Sequence, residues 1–193
     1  EFVDYNVAPS GCLPLVWAES DESVIGGVDN RLLGKAKWGL VPRWARSPAI
    51  GSRTFNARAE TLADKPTYRA AYERRRCLIP IDGFYEWGPG RGGGTKQPWF
   101  VYARDRAPLV VAGLWDNWRS TGKDLHELRT CTVITVPANR DLLPIHHRMP
   151  AILPPEVWSD WLDPGQTKSE DLDVMLRTAR DGLLARHLSL IHI

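Results

Sequence analysis

Three polar residues stand in apolar or turn-forming surroundings: Asn56 in Phe55-Asn56-Ala57-Arg58-Ala59-Glu60, Glu86 in Gly83-Phe84-Tyr85-Glu86-Trp87, and His146 in His146-His147-Arg148-Met149-Pro150. A carboxamide, a carboxylate and an imidazole are the parts of an acid/base site: the last two move protons and the first orients a reacting group. As a strand, the first segment turns Phe55, Ala57 and Ala59 inward and lines Asn56, Arg58 and Glu60 along one polar ledge, because alternate side chains share a face. The same period puts His146 and Arg148 on one side of the third segment and His147 and Met149 on the other, with Pro150 ending or bending it. His146 is therefore favoured over His147. Glu86 is expected after a glycine-led turn, where Tyr85 and Trp87 make part of its surroundings apolar, a setting that suits proton transfer near neutral pH. Taken singly, each residue also fits a structural role: a rim carboxylate, a satisfied loop histidine, an asparagine bridging backbone groups. Spacing alone does not make the three converge.

The elements that must position them are mostly short strands. Residues 13–17, 36–41, 77–81, 99–102, 109–114 and 130–136 are rich in β-branched and aromatic side chains and are bounded by Gly, Pro, Asp or Asn. Helical patterns fall at residues 67–76, 138–143, 155–162 and 170–180. Pro66 precedes the first and Pro154-Pro155 opens the third, while Arg74-Arg75-Arg76 reads as a solvated basic helix end favoured by the helix dipole. Residues 88–94, including Arg91-Gly92-Gly93-Gly94, lack the Lys-Ser/Thr of a phosphate loop and read as a flexible hairpin connection. The sum is an α+β fold: a β-rich single domain over residues 1–193, built on a curved, mainly antiparallel, barrel-like sheet with flanking helices.

Composition narrows the function classes. A formal charge of +2 gives no overall field for a polyanion, so a nucleic acid would have to be met by a local basic patch. No apolar run approaches the roughly 20 residues of a membrane span, and no secretory leader opens the chain, so a cytoplasmic protein without a membrane partner is expected. Cys12, Cys77 and Cys131 are odd in number and show no Cys-x-x-Cys spacing, which argues against a disulfide framework or a zinc site; no metal or other cofactor is expected. Cys77 and Cys131 lie in apolar strings and read as buried hydrophobes, leaving Cys12, after Gly11, as the one candidate reactive thiol. Trp38 and Trp44 bracket Gly39-Leu40-Val41-Pro42-Arg43, with Arg46 two residues further on. Rings on which bases stack, interleaved with cations that track phosphate, are what single-stranded nucleic acid needs. Trp158 and Trp161, at helical spacing, read as packing.

The strings Tyr5-Asn6-Val7-Ala8-Pro9, Trp38-Gly39-Leu40-Val41-Pro42-Arg43-Trp44-Ala45, Phe55-Asn56-Ala57-Arg58-Ala59-Glu60-Thr61, Arg74-Arg75-Arg76-Cys77-Leu78-Ile79-Pro80-Ile81-Asp82-Gly83-Phe84-Tyr85-Glu86-Trp87, Lys96-Gln97-Pro98, Ala112-Gly113-Leu114-Trp115 and His146-His147-Arg148-Met149-Pro150 occur in order. Together they closely resemble the SOS response-associated peptidase family, over the stretch from about Tyr5 to about Leu162. The resemblance implies a sensor of abasic sites in single-stranded DNA, linked covalently to the lesion as a thiazolidine through an N-terminal cysteine that autoproteolytic removal of the initiator Met exposes. By motif, Asn56, Glu86 and His146 correspond to the family's active-site asparagine, glutamate and histidine. Glu86 and His146 are then the proton shuttles, and Asn56 orients the nucleophile or holds the sugar. Arg58 and Arg148 are expected on flanking phosphates, with Trp38, Arg43 and Trp44 completing the DNA surface of a monomer, nucleoid-associated if bacterial. The family begins Met-Cys-Gly-Arg and this chain begins Glu1-Phe2-Val3-Asp4-Tyr5, so a truncated piece is favoured and the chain as given is expected not to crosslink. Cys12 lies after the Asn-Val-Ala-Pro motif and is not expected to substitute. Residues 186–193 depart from the family's closing strand, so His187 and His192 receive no role. The alternative is a non-covalent single-stranded DNA-binding module without the chemistry.

Overall fold

A computed structural model describes residues 4, 6–18, 31–90, 94–120 and 126–189. In chain order the elements are β1 (Cys12–Ala18), β2 (Arg31–Trp38), β3 (Asn56–Arg58), α1 (Pro66–Arg74), β4 (Arg76–Ile81), β5 (Gly83–Gly88) and β6 (Gln97–Ala103). The chain continues with β7 (Leu109–Arg119), β8 (Glu127–Pro137), β9 (Arg148–Pro150), α2 (Trp158–Leu162), α3 (Ser169–Met175) and β10 (Leu184–Leu188). Strands β2, β1, β4, β7 and β8 pair in that order, and β8 closes the ring by pairing in parallel with β2 through Lys37↔Thr130 and Trp38↔Cys131. A mixed five-stranded barrel results, antiparallel at its other seams.

The barrel forms because alternate residues of its strands fill it: Leu13, Leu15 and Trp17 from β1, Cys77 and Ile79 from β4, Val111 and Trp115 from β7, Cys131 from β8. Trp17 and Trp115 meet there with ring centroids 5.7 Å apart. At Gly113 a Cβ would lie 2.6 Å from Ile79 Cδ1 and 2.9 Å from Cys77 Sγ, so a larger residue there would have to push both side chains aside. The opposite faces of these strands, with Leu78, Leu114, Ile134 and Val136, make a second core under α1, α2, α3 and a three-stranded sheet ordered β10-β6-β5. Each such side chain, fully buried, stabilises the fold by roughly 1.5–3 kcal/mol. Strands buried on both faces lose polar alternation, which is why β4 reads as a continuous apolar run.

The expected curved, mainly antiparallel, barrel-like sheet with flanking helices is the fold observed, and three local expectations fail. Residues 138–143 make turns, because Asn139 is buried and spends its side chain locally: Oδ1 accepts from Leu142 N–H at 3.2 Å, and Nδ2 donates to Asp141 Oδ2 and Arg180 O, both at 3.2 Å. Helix α3 stops at Met175, and the chain beyond turns back to β8, where Thr178 Oγ1 donates to Pro137 O at 3.0 Å. The arginine triplet is not a solvated helix end. Arg74 alone is exposed; Arg76 is 2% exposed and donates to the carbonyls of Tyr72, Glu73, Trp161 and Asp163, tying the C-terminal ends of α1 and α2 together. Burial pulls its pKa down to about 10. Cys77 and Cys131 are buried, with their thiol pKa values pushed up by desolvation, and Cys12 is exposed. Among the described residues no helix is long and apolar enough to cross a membrane. Tyr5, residues 91–93 of the connection from β5 to β6, and His192 lie outside the described residues.

Candidate active site

Glu86 stands on β5, three residues after Gly83, which opens the strand behind a bend at Asp82. Its register partner on β6 is Trp99, and by alternation it shares the core-facing side of the small sheet with Phe84. Gly88, next on that side, abuts Ile145, the residue before His146. The sheet thereby aims Glu86 at the start of the β9 segment, where His146 Nδ1 lies 3.7 Å from Glu86 Oε2. Both side chains are partly open, 25% exposed at Glu86 and 31% at His146, so the pair is reachable by a substrate. Glu86 Oε1 accepts from Trp87 N–H at 3.1 Å, which fixes the carboxylate.

His146 Nδ1 has three neighbours. The Arg148 backbone N–H donates to it at 3.1 Å when Nδ1 carries no proton; the Arg148 carbonyl at 3.0 Å and the Glu86 carboxylate at 3.7 Å accept from it when Nδ1 is protonated, in the neutral ring or the charged one. One ring nitrogen can therefore gain or lose a proton without the ring leaving its place. His147 points outward and is exposed, while Met149 is buried, so the alternation expected over residues 146–149 begins only at Arg148.

Asn56 opens β3, exposed beside the buried Ala57, with Arg58 exposed on the same ledge as expected. Strand β3 runs parallel to β8 and β9 runs antiparallel to it, and both reach Thr135, through Arg58↔Thr135 and Thr135↔Pro150. A bidentate ion pair joins the two flanks: Arg148 Nη1 and Nη2 donate to Glu60 Oε1 and Oε2 at 2.5 and 2.9 Å, and Nη2 also reaches Thr135 O and Oγ1. The hydrogen bond from Arg148 holds the Glu60 carboxyl below its ordinary pKa, with burial opposing. Asn56 makes no hydrogen bond through its side chain to Glu86 or His146 among the described residues. It sits on the neighbouring ledge while the carboxylate and imidazole meet directly.

The tryptophan loop is built as firmly. Gly39 has φ +141°, and a Cβ there would fall 2.4 Å from Gly51 O, so the backbone turn needs glycine. Buried hydrogen bonds from Thr54 Oγ1 to Leu40 O at 2.6 Å and from Val41 N–H to Thr130 Oγ1 at 2.9 Å pin the two residues after that turn. Trp38 donates its indole N–H to Phe55 O at 2.7 Å and packs edge-on against Phe55, so its ring is fixed and half-buried beside the residue that precedes Asn56. Trp44 is 60% exposed. Arg43 Nε donates to Asp116 Oδ1 at 2.7 Å. Asp116, 3% exposed, is a residue the sequence reading missed; it also accepts from Arg43 N–H at 3.2 Å and faces Arg75. The signal was there: one carboxylate between Trp115 and Trp118 in a strand that runs five residues past its expected end at Leu114.

A closed mixed barrel, a carboxylate–imidazole pair where the small sheet meets the segment leading into β9, and a pinned aromatic, cationic loop define a class with close parallels. The family model described as "SOS response associated peptidase (SRAP)" matches residues 2–189, and the chain belongs to that family. It is 39% identical over 172 residues to the abasic site processing protein YoaM of Bacillus subtilis, covering 89% of this chain and 71% of that protein. The abasic site processing protein YoqW of Bacillus subtilis is 38% identical over 173 residues, covering 90% and 72%. A crystal structure of a protein from Bordetella bronchiseptica superposes with TM-score 0.79 at 26% identity, covering 99% of this chain and 90% of that one.

Proposed function

We propose that this chain processes abasic sites in single-stranded DNA, with Glu86 and His146 moving the protons of a covalent link to the opened sugar and Asn56 orienting the reacting group. The observation that carries the reading is the 3.7 Å approach of Glu86 to His146, both partly open to solvent, in a member of a family whose relatives include named abasic site processing proteins. The abasic sugar is a cyclic hemiacetal, and opening it needs a proton removed from the C1 hydroxyl and one delivered to the ring oxygen. The amine of an N-terminal cysteine then adds to the C1 aldehyde. Water leaves from the resulting carbinolamine to give an imine, and the thiol sulfur bonds to the imine carbon, so aldehyde plus cysteine become a thiazolidine plus one water. Every step moves a proton at oxygen or nitrogen, and an acid and a base in contact suit that work. The same pair would hydrolyse the bond between an initiator Met and that cysteine.

In this reading Trp44 offers an open ring for a base and Arg58 an open guanidinium for a phosphate, while Trp38 and Arg43 shape the loop beside them. The test uses a polypeptide that carries the cysteine ahead of Tyr5, incubated with abasic single-stranded DNA. A denaturant-resistant band, lost when Glu86 and His146 are both substituted, is expected. Salt-dependent binding without any such band would instead select a non-covalent DNA-binding module.

A further inference from the structure

Trp44 stands at the tip of a tight turn: Ala45 N–H donates to Pro42 O at 2.9 Å, which makes Arg43 and Trp44 its central residues. An exposed ring on a free turn would give up backbone freedom whenever a base stacked on it, and that cost is subtracted from affinity. This turn is held beforehand. Period two along β7 puts Asp116 and Trp118 on one face, opposite Trp115, and both are buried, at 3% and 7% exposure. Asp116 Oδ2 accepts from Arg43 N–H at 3.2 Å on one side of Trp44, and the Trp118 indole N–H donates to Ala45 O at 2.7 Å on the other. Two buried side chains therefore grip the backbone of both chain neighbours of a residue whose own ring is 60% exposed. Thr130 on β8 completes the frame: its Oγ1 accepts from Val41 N–H at 2.9 Å and donates to Asp116 O at 3.3 Å.

We propose that Asp116 and Trp118 are positioning residues for single-stranded DNA binding: they fix the turn so that the Trp44 ring is presented to a base at little ordering cost. The inference rests on the reading of Trp44 as a base platform. It separates two roles within the loop, the exposed ring that meets the base and the buried pair on β7 that sets where the ring stands.

The experiment is a double-variant cycle on binding of lesion-free single-stranded DNA, read by fluorescence anisotropy at fixed salt, with unfolding curves to show that each chain is folded at the assay temperature. Trp118→Phe keeps a buried ring and removes the N–H that reaches Ala45. It should weaken binding by about three- to tenfold in the unaltered chain, and by less than about twofold when Trp44→Ala is already present, because a frame for a missing ring has nothing left to place. An equal loss in both backgrounds would show a general effect on the fold and overturn the proposal; so would unchanged affinity. The slope of affinity against salt should stay as it was, because no phosphate contact is removed, and a shallower slope would also overturn it. Should Trp118→Phe not fold, Asp116→Asn run through the same cycle carries the same comparison. Trp44→Ala without effect would sink the reading of Trp44 and the proposal with it. Failure of a cysteine-bearing polypeptide to form an adduct would instead sink the covalent chemistry and leave the frame standing.

Discussion

Asp116→Asn removes the charge of a carboxylate that is 3% exposed while keeping its shape. Four groups that pair with it are affected in different degrees. Arg43 is 58% exposed at its side chain, so its 2.7 Å pair with Asp116 is screened and contributes only about 0.5 kcal/mol. Arg75 is 15% exposed; its Nη2 donates to Asp116 Oδ2 at 3.4 Å, and its Nε makes an ion contact to Oδ1 at 3.2 Å without hydrogen-bond alignment. Burial pulls the Arg75 pKa down and Asp116 opposes that pull, so removing the counter-charge leaves a partly buried cation uncompensated, at a cost of about 2 kcal/mol. The backbone N–H groups of Arg43 and Asn117 donate to different carboxylate oxygens, at 3.2 and 2.9 Å, so whichever way the asparagine amide is turned one of them faces its NH2 group and loses its acceptor, which adds about 1 kcal/mol. The loss is therefore about 3.5 kcal/mol, or roughly 7–14 °C in melting temperature for a domain of this size. Urea unfolding of the two proteins reads it directly, as a lower midpoint at unchanged slope. Arg43→Ala should cost less than about 1 kcal/mol by the same reasoning. A loss below about 1 kcal/mol for Asp116→Asn, or an equal loss for both variants, would refute the ranking of these contacts.

Gly39→Ala must move the Gly51 backbone away from a Cβ that would sit 2.4 Å from its carbonyl, at a φ that L side chains rarely adopt. A loss of roughly 2 kcal/mol or more is expected in thermal or urea unfolding, together with weaker single-stranded DNA binding. The Glu60 carboxyl has its pKa lowered on folding from an ordinary 4.5, chiefly by the hydrogen bond from Arg148. A lowered folded pKa gives stabilisation that is present above the unfolded value and lost as pH falls through the folded one, so the stability gap between the wild type and Glu60→Gln should close below about pH 4.5 and stay open near neutrality. Trp44→Ala, at a 60% exposed ring, should leave unfolding unchanged and weaken binding to single-stranded DNA by about 1–3 kcal/mol, measured by fluorescence anisotropy at fixed salt.

Much of the architecture was legible because its strands carry period-2 burial bounded by turn residues, as β1 does with Leu13, Leu15 and Trp17 inside. What escaped was set by tertiary partners. Nothing local to residues 138–143 shows that Asn139 will be buried against Arg180, and nothing local to Arg75-Arg76 shows that one faces a carboxylate 41 residues on and the other four carbonyls. Barrel closure through the parallel β2–β8 seam is likewise a long-range event, invisible to pattern. At the candidate site, residue type and setting single out Glu86 and His146, and the two meet. The place of Arg148 beside His146 suggests a phosphate contact; its pairing with Glu60 joins segments 88 residues apart, which spacing cannot reveal.

The most direct measurement is a denaturing gel of the cysteine-bearing polypeptide with abasic single-stranded DNA, comparing wild type, Glu86→Gln, His146→Asn and the double variant over time. A slower shifted band is predicted for each single variant, and a double variant little worse than either single, because the two side chains act as one proton-handling pair. Wild-type rates of adduct formation in the double variant would contradict it.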